Sequence, residues 1–373
     1  MNEGAFPRVI LTEEGMREGM QIEDAEISVE DKIELLDLLS DTGLQNIVVG
    51  SFVSPKWTPQ MARIEEVLRG FHPRPGVNYT AAVLNEKGVE RAREFIPPLS
   101  GAGRKPGTMV HLCDVFAQRN TNRTQGQEIE AWPGVVERAK ANGVREAGIG
   151  LIAAWGSNWV GEFDDQQRMD LLRRQWRLWD AAGIEVTRVS LLDPMGWNMP
   201  ATVRRQLRLI KAEWPSIKDF WLHLHDTRGV ALASSFVAIE ELDSADVLRL
   251  DTSIGGMAGC PYCGNGRAAP LVATEDMVNF LEEMGIPTGV DLTKLIKVVW
   301  RAEEIVGHLL YGHVSKAGPR PHGASLYPMD MPFVETLGQA RHFIEGSSAY
   351  AGAMSPWKEP IRSWQRPEVA APA

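Results

Sequence analysis

Two histidines at the end of an apolar segment are the side chains best suited to chemistry. His223 and His225 lie two positions apart in FWLHLH (220–225). Residues with this spacing point to the same face of a β-strand, so both imidazoles would project together. Imidazole is a common ligand of metals, and the pair therefore indicates a cation site in which His223 could also act in catalysis. The alternative is a pair of hydrogen-bonded histidines in the core, because this spacing alone is a weak motif.

A charged pair follows the first apolar segment of the chain. Arg17 and Glu18 precede a glycine, with Gln21 close behind. By themselves they could form a surface ion pair. If they lie beside the histidines, the Glu18 carboxylate completes a mixed oxygen and nitrogen site for Mg²⁺, Mn²⁺ or Zn²⁺. Arg17 would then neutralise an oxyanion or carboxylate of a substrate, and Gln21 would contact that substrate.

A glycine-rich segment, residues 255–267, contains Cys260 and Cys263. A CxxC pattern usually indicates zinc or redox chemistry. A structural zinc ion needs four ligands, and Cys113 is remote in the sequence. We therefore predict that Cys260 alone is functional, as a general acid or base on a loop that moves or lies against a ligand. The alternative is that both thiols are inert.

Other candidates follow the predicted strands and would line the mouth of the fold. Asp193, in a Leu-Asp-Pro-Met-Gly sequence, is predicted to be catalytic. The remaining candidates are predicted to bind substrate, although most tryptophans are simply core residues. These candidates are Ser51, Cys113, Asn120, Asn122 and Trp155.

Short β-branched or apolar segments alternate with segments of helical period, which is typical of βαβ units and a parallel sheet. Eight strands with eight helices predict an α/β fold, a (β/α)8 TIM barrel, whose active site lies at the carboxyl ends of the strands. The strands are predicted at 8–13, 46–51, 78–84, 108–113, 146–154, 185–192, 220–225 and 247–253. The helices are predicted at 28–43, 60–70, 87–95, 127–142, 165–182, 200–213, 229–241 and 272–284.

The chain is divided into a catalytic barrel, residues 1–290, and a C-terminal helical and irregular extension, residues 291–373. An amphipathic helix is predicted at 291–311 and a second, shorter helix at 336–346, before a Pro-rich end. The extension is expected to pack on the barrel or on a neighbouring subunit of a homo-oligomer.

Composition restricts the partners. The net charge of −10 and the pI near 5.4 argue against nucleic acid and anionic membranes, which need a basic face. No apolar segment approaches the ~20 residues that span a bilayer. Three cysteines, an odd number, are better explained as reduced thiols than as a disulfide framework. A cytoplasmic protein with a small-molecule partner is expected.

Taken in order, these motifs resemble 3-hydroxy-3-methylglutaryl-CoA (HMG-CoA) lyase and the wider group of metal-dependent barrels that contains isopropylmalate and homocitrate synthases. The resemblance extends over roughly residues 8 to 295. It rests on REGMQ (17–21), SFVSPKW (51–57), HLHDTRG (223–229), GCPY (259–262) and ATED (273–276). The SFVSPKW and GCPY segments are specific to the lyase branch.

The resemblance implies a divalent metal, Mg²⁺ or Mn²⁺ rather than Zn²⁺, bound by Glu18, His223 and His225. It implies cleavage of a 3-hydroxy acid or its CoA thioester into a ketone and an enolate, by a retro-Claisen or retro-aldol reaction. Arg17 would stabilise the enolate, and Cys260 would transfer protons near the enolate carbon.

The sequence also departs from the family pattern. Glu18 stands where the lyases carry aspartate, and Val48 stands where they carry a catalytic glutamate. Leu271 occupies the position of a metal-binding asparagine, for which Asn265 is a candidate replacement. Asp24 occupies a position that is basic in the thioester-cleaving relatives, so a smaller acid without CoA is an alternative substrate.

Three functions are compared. The first is a metal-dependent carbon–carbon lyase, which the lyase-specific segments favour. The second is a condensing enzyme that joins an acyl-CoA and a 2-oxo acid, which the Arg-Glu-Gly form favours. The third is a barrel that binds a ligand without turnover, which the loss of the glutamate at position 48 and of the asparagine at position 271 suggests.

Overall fold

Eight parallel strands form one curled sheet in a computed structural model that describes residues 6–83, 86–100, 105–264 and 269–326. The strands are β1 (Arg8–Glu13), β2 (Asn46–Phe52), β3 (Asn78–Val83), β4 (Gly107–His111), β5 (Glu146–Ile152), β6 (Glu185–Asp193), β7 (Asp219–Leu224) and β8 (Val247–Thr252).

The order of the strands is that of a barrel. It runs β3-β2-β1-β8-β7-β6-β5-β4, and β1 pairs with β8 from Arg8 opposite Val247 to Glu13 opposite Thr252. The first and last strands are therefore neighbours, as closure of a (β/α)8 sheet requires. Within the described ranges no ladder joins β3 to β4, so the sheet is a curled, TIM-barrel-like one. The predicted fold class is confirmed.

Helices connect the strands and cover the outside of the sheet. They are α1 (Val29–Ser40), α2 (Ile64–Gly70), α3 (Glu86–Arg93), α4 (Asp114–Thr121), α5 (Gln125–Ala141), α6 (Asp165–Ala181), α7 (Pro200–Glu213), α8 (Ala231–Glu241), α9 (Thr274–Glu283), α10 (Leu292–Val306) and α11 (Val314–Ala317). The predicted cap of α1 is confirmed, because the Ser28 hydroxyl accepts a hydrogen bond from the Asp31 N–H at 2.9 Å.

Helix α4 was not predicted, and it lies in the loop at the mouth of the barrel. Its eight residues are mostly polar and lack a strong apolar period. It begins at an unusual cap, the Cys113 sulfur, which accepts from the Phe116 N–H at 3.4 Å. A small antiparallel hairpin, Gly156–Ser157 with Gly161–Glu162, was also missed in the loop after β5.

The face of β7 that carries His223 differs between the two ends of the strand. Because side chains alternate between the two faces of a strand, Asp219, Trp221 and His223 lie on the same face. At the amino end, Asp219 accepts from Arg188 Nη2 at 2.7 Å and from Arg249 Nε at 2.9 Å. Trp221 lies above this ion cluster, and His223 lies at the carboxyl end. The charges at one end therefore serve stability and leave the other end for chemistry.

The described part of the extension packs on the barrel. Helix α10 is joined to α1 by Arg301, which lies 3.1 Å from Asp31 and 2.8 Å from Glu34. The helix ends at Val306, before the predicted end at 311. Residues 327–373, including the predicted helix at 336–346, lie outside the described residues, and the boundary at 290 stays a prediction. Each helix in the described ranges falls short of the length and apolar character needed to cross a membrane.

One glycine tests how closely the strands approach. A Cβ at Gly107, the first residue of β4, would lie 2.6 Å from the Gly148 carbonyl oxygen. Backbone cannot yield as a flexible side chain does, so Gly107→Ala should lower the free energy of unfolding by about 1–3 kcal/mol in urea denaturation.

The matched control makes the same chemical change where space is open. Gly134 is exposed inside α5, and a Cβ there would meet only the Arg138 guanidinium at 3.4 Å. Gly134→Ala should raise the free energy of unfolding by about 0.5–1 kcal/mol, because alanine is the better helix former. Equal effects of the two changes would contradict the strand packing described here.

Candidate metal centre

Glu18 reaches the mouth of the barrel from one π-helical turn, Gly15–Gly19, that follows β1. The Glu18 N–H donates to the Glu14 carbonyl at 2.7 Å, which fixes the turn. A Cβ at Gly19 would lie 2.6 Å from the Met257 carbonyl oxygen, so only glycine allows the turn to approach the loop after β8. The turn leaves Glu18 only 5% exposed.

The two histidines meet Glu18 from the end of β7. His223 Nε2 lies 3.2 Å from His225 Nε2, and His225 Nε2 lies 3.7 Å from Glu18 Oε1. One ligand atom from each of the three residues lies within 4.8 Å of the others. All three side chains are buried, His225 completely. They form a compact cluster of one carboxylate and two imidazoles.

The other nitrogens of the two rings decide what the cluster can hold. His223 Nδ1 lies 2.9 Å from Asp251 Oδ2, and His225 Nδ1 lies 2.6 Å from the Ala269 carbonyl oxygen. Both partners are acceptors, so each Nδ1 carries a hydrogen, and an uncharged ring then presents the lone pair of its Nε2.

Two converging lone pairs repel each other unless a cation lies between them. A hydrogen bond between the rings would need a hydrogen on one Nε2, which a neutral ring has only by giving up its bond to Asp251 or Ala269. Burial, with the neighbouring His223, lowers the pKa of His225 to about 3, so this ring stays uncharged at neutral pH. The residues present therefore fit a divalent cation better than a pair of core histidines.

Arg17 lies over the carboxylate of the cluster. Its guanidinium forms an ion pair with Glu18 and lies 3.6 Å from Glu14 Oε2. The Arg17 side chain is 28% exposed while that of Glu18 is 7% exposed. A positive group thus lies between the buried cluster and solvent, where an anionic substrate would enter. Its catalytic role stays a prediction.

The loop after β8 brings Cys260 to the same mouth. Cys260 is 7% exposed and packs in an apolar cluster with Cys113, Cys263, Phe116 and Met195. A hydrogen bond from Cys263 lowers the pKa of the Cys260 thiol; N–H groups of the loop and the Arg17 charge act in the same direction.

Side chains of neighbouring loops hold this loop down. The Arg119 guanidinium of α4 donates to the Tyr262 carbonyl at 2.9 Å, and the Asn158 amide donates to the Cys263 carbonyl at 3.1 Å. Asn265, predicted as a metal ligand, lies outside the described residues.

Asp193 and Gln21 shape the loops of the mouth. Asp193 ends β6, and its carboxylate accepts from the Trp197 N–H at 3.0 Å and from the Asn198 N–H at 2.6 Å. Burial raises the pKa of Asp193. Gln21 Nε2 donates to the Gly259 carbonyl at 3.3 Å and so links the turn after β1 to the cysteine loop. Both residues lie at the predicted rim, and their predicted roles stay predictions.

The predicted substrate contacts are more scattered. Ser51 is buried on β2, and Cys113 is the cap of α4. Trp155 is buried after β5, and its indole N–H has no hydrogen-bond partner among the described residues. Asn120 lies on α4, whereas Asn122 is exposed at the end of that helix with φ of 56°. Of these residues, Asn122 is the least connected to the cation cluster by the contacts described.

Sequence reasoning missed a third buried histidine, besides His223 and His225. His111 ends β4, with Nδ1 2.8 Å from Glu128 Oε1 and Nε2 3.1 Å from the Asn120 amide nitrogen. This chain of contacts orients Asn120. A polar residue in the apolar segment TMVHLC was the available signal.

Two departures from the family pattern are buried, and one of them contacts the cluster. Val48 is buried on β2 and brings no proton-accepting group. Leu271 is buried and forms an antiparallel bridge with His225, so the position of the missing asparagine is next to a predicted ligand.

Comparison with known proteins agrees with the fold. The model of the HMGL-like family matches residues 8–300. A 3-hydroxy-3-isohexenylglutaryl-CoA/hydroxymethylglutaryl-CoA lyase from Pseudomonas aeruginosa is 35% identical over 310 residues, which cover 83% of this chain and 97% of that protein. The human mitochondrial hydroxymethylglutaryl-CoA lyase is 32% identical over 296 residues, covering 79% of this chain and 85% of the human one.

Solved structures are similar over the same part of the chain. The crystal structure of hydroxymethylglutaryl-CoA lyase from Pseudomonas aeruginosa has a TM-score of 0.68 at 34% identity and covers 83% of this chain and 97% of its own. An HMG-CoA lyase from Acinetobacter baumannii, in complex with coenzyme A and 3-methylmalate, has a TM-score of 0.68 at 27% identity, covering 87% of this chain and 98% of its own.

Metal content tests the cluster. The purified protein should retain a divalent cation by elemental analysis, and the His223→Ala, His225→Ala double variant should lose it, because the two converging lone pairs are removed. His72→Ala is the control, since His72 is exposed and pairs with Asp37 away from the cluster. Equal metal content in all three proteins would exclude the site described here.

Proposed function

The chain belongs to the HMGL-like family, and from that premise we propose that it is a metal-dependent carbon–carbon lyase that cleaves a 3-hydroxyacyl-CoA thioester of the HMG-CoA type. The observation that carries the proposal is the buried cluster of Glu18, His223 and His225 with the Arg17 guanidinium beside it. The HMG-CoA lyases in the comparisons favour cleavage over condensation and over a barrel without turnover.

We assign Glu18, His223 and His225 as the residues that hold the cation, with Mg²⁺ or Mn²⁺ preferred. A carboxylate with two imidazoles and no thiolate supports hard or intermediate ions, since the described thiols lie in a separate apolar cluster. When bound, the cation supplies a Lewis acid that polarises the substrate oxygens. Asn265 remains a proposed further ligand.

The reaction breaks the bond between the carbon that bears the hydroxyl and the carbon next to the thioester. Negative charge then develops on the thioester oxygen as an enolate. We assign Arg17 to that charge, because a preorganised cation in a half-buried site stabilises a transition state more than water does. We assign Cys260 to protonation of the enolate carbon, because its sulfur lies in the electrostatic field of Arg17.

Further parts of the mouth would contact the substrate. Gln21 and Asn120 each offer an amide, and Trp155 offers an indole N–H that has no partner within the described part of the chain. Ser51, Cys113 and Asn122 are retained as weaker candidates. Asp193 is assigned to the loop it orders, from which it supports the catalytic groups.

The remaining parts of the proposal concern the protein in the cell. We propose a cytoplasmic homo-oligomer, with residues 1–290 as the catalytic barrel and 291–373 as an extension near the mouth. The acidic net charge supports a small-molecule partner rather than nucleic acid.

Product analysis tests the reaction. With Mg²⁺ or Mn²⁺ present, HMG-CoA should yield acetyl-CoA and acetoacetate, detected by mass spectrometry, and a chelator should abolish the yield. Analogues with larger 3-alkyl groups, and the free 3-hydroxy diacids, determine the substrate range. Release of free CoA from an acyl-CoA and a 2-oxo acid would instead favour condensation, and binding without products would favour the inactive barrel.

Arg17 gives a quantitative test. Arg17→Met should lower kcat/KM by about 10²- to 10³-fold, because one electrostatic contact to the developing oxyanion is lost. Arg173→Met is the matched control, since Arg173 is exposed on α6 and pairs with Glu213. The control should keep native kcat/KM. Native activity of Arg17→Met would rule out the role assigned to this guanidinium.

A further inference from the structure

Glu13 is a completely buried carboxyl at the end of β1, and the reaction proposed above gives it no role. We propose that Glu13 is a positioning residue, which joins the turn that carries Glu18 to the loop that carries Cys260. It fixes the proposed metal ligand and the thiol relative to each other. The inference deepens the proposed function and rests on it.

One oxygen of Glu13 binds both segments. Glu13 Oε1 accepts from the Gly15 N–H at 2.7 Å and from the Ile254 N–H at 3.0 Å. Gly15 is the first residue of the turn that ends at Gly19, and Ile254 begins the loop after β8. The two segments follow different strands, so this shared acceptor links them directly. Its removal would leave two buried N–H groups unsatisfied.

The turn passes so close to Glu13 that a larger residue at its first position would displace the carboxylate. A Cβ at Gly15 would lie 2.6 Å from Glu13 Oε1 and 2.8 Å from Ile254 Cγ1. Carboxylate, turn and loop are therefore packed at one point, where a shift of one moves the others. Glu18 lies in the same five-residue turn. The position of the Glu13 carboxylate thus affects the position of the proposed ligand.

The other oxygen of Glu13 faces groups that accommodate either charge state. Oε2 lies 2.5 Å from the Thr274 hydroxyl, which lies 2.9 Å from the Thr252 hydroxyl. A hydroxyl both donates and accepts, so Thr274 donates to ionised Glu13 and accepts from the neutral acid. Burial raises the pKa of Glu13 to about 7, so both forms occur near neutral pH. Oε1 accepts the same two hydrogen bonds in each form, so the length of the side chain matters more than its charge.

A neighbouring buried acid holds only one of the two segments. Glu275 on α9 accepts from the Gly255 N–H at 2.9 Å, one residue beyond Ile254. This contact anchors the loop to the helix that follows it and not to the turn after β1. Glu13 is also not a substitute for the acid missing at position 48, because it is completely buried and both its oxygens are engaged. It acts through the turn and the loop.

Two substitutions separate the length of the side chain from its charge. Glu13→Gln keeps the length and an oxygen acceptor but removes the charge. Glu13→Asp keeps the charge, but its carboxylate is one methylene too short to reach both N–H groups. In Mn²⁺ titrations of the metal-free protein, Glu13→Asp should raise the dissociation constant by about 10- to 100-fold, because the ligand loses its support. Glu13→Gln should keep the native value.

Glu282→Asp is the matched control. Glu282 is exposed on α9 and makes the same kinds of contact, with the Thr288 N–H at 2.7 Å and the Thr288 hydroxyl at 2.6 Å. Thr288 lies beside the amino ends of β1 and β2, away from the mouth, so this change should leave the dissociation constant unchanged. Thermal melting verifies that each variant is folded, and the Gln variant decides alone if the Asp variant is not.

Lyase kinetics at saturating Mn²⁺ complete the test. Glu13→Asp should lower kcat by about 10- to 100-fold with little change in KM, because misplaced groups lose contacts made in the transition state. A native dissociation constant in a folded Glu13→Asp variant overturns the inference, and so does a Gln variant as impaired as the Asp variant. If the Mn²⁺ results are as expected but the native protein cleaves no thioester, the proposed function has failed while the positioning role stands.

Discussion

The site depends on the way two imidazole rings are tied at their outer nitrogens. Asp251 and the Ala269 carbonyl each accept from one Nδ1, which directs both Nε2 lone pairs into the same small space. That arrangement is unfavourable by itself and becomes favourable when a cation is shared with Glu18. Asp251 also accepts a hydrogen bond from the Trp221 indole at 2.8 Å. Trp221 lies on β7 between the ion cluster at Asp219 and the candidate cation site at His223, so Asp251 connects the two.

The barrel could be predicted from sequence because its signals are local and repeated. Each buried parallel strand is a short apolar segment, and each helix shows its own hydrophobic periodicity. Eight such strand–helix pairs are the number found in a (β/α)8 barrel. Helix α4 was not predicted because its eight residues are mostly polar and show little hydrophobic periodicity. Its N-cap is a cysteine sulfur, a weak hydrogen-bond acceptor that sequence patterns do not identify. The lack of a ladder between β3 and β4 in the described ranges was equally unpredictable, since strand pairing depends on contacts between distant segments.

The clustering of Glu18, His223 and His225 was predictable from the sequence, and the surroundings of the cluster less so. The spacing of His223 and His225 and the acid after β1 predicted the cluster, because period and strand order bring them to one rim. The roles of Asp251 and Ala269 could not be predicted, since both depend on side-chain orientation across loops. Cys263 illustrates the same limit. The sequence suggested a CxxC without four zinc ligands, and only folding shows that the Cys263 sulfur is buried and donates to the Pro194 carbonyl.

The losses at Val48 and Leu271 do not remove the chemistry, because the groups that remain are connected to one another. Arg17 contacts the Glu18 carboxylate and also lies near enough to Cys260 to favour its ionised form. A single guanidinium therefore links the cation cluster to the thiol loop, and both stand at the rim where an anionic thioester would enter. Arg17 is one of the groups that lower the pKa of the Cys260 thiol, and a positively charged neighbour is the usual environment of a cysteine that reacts as a thiolate.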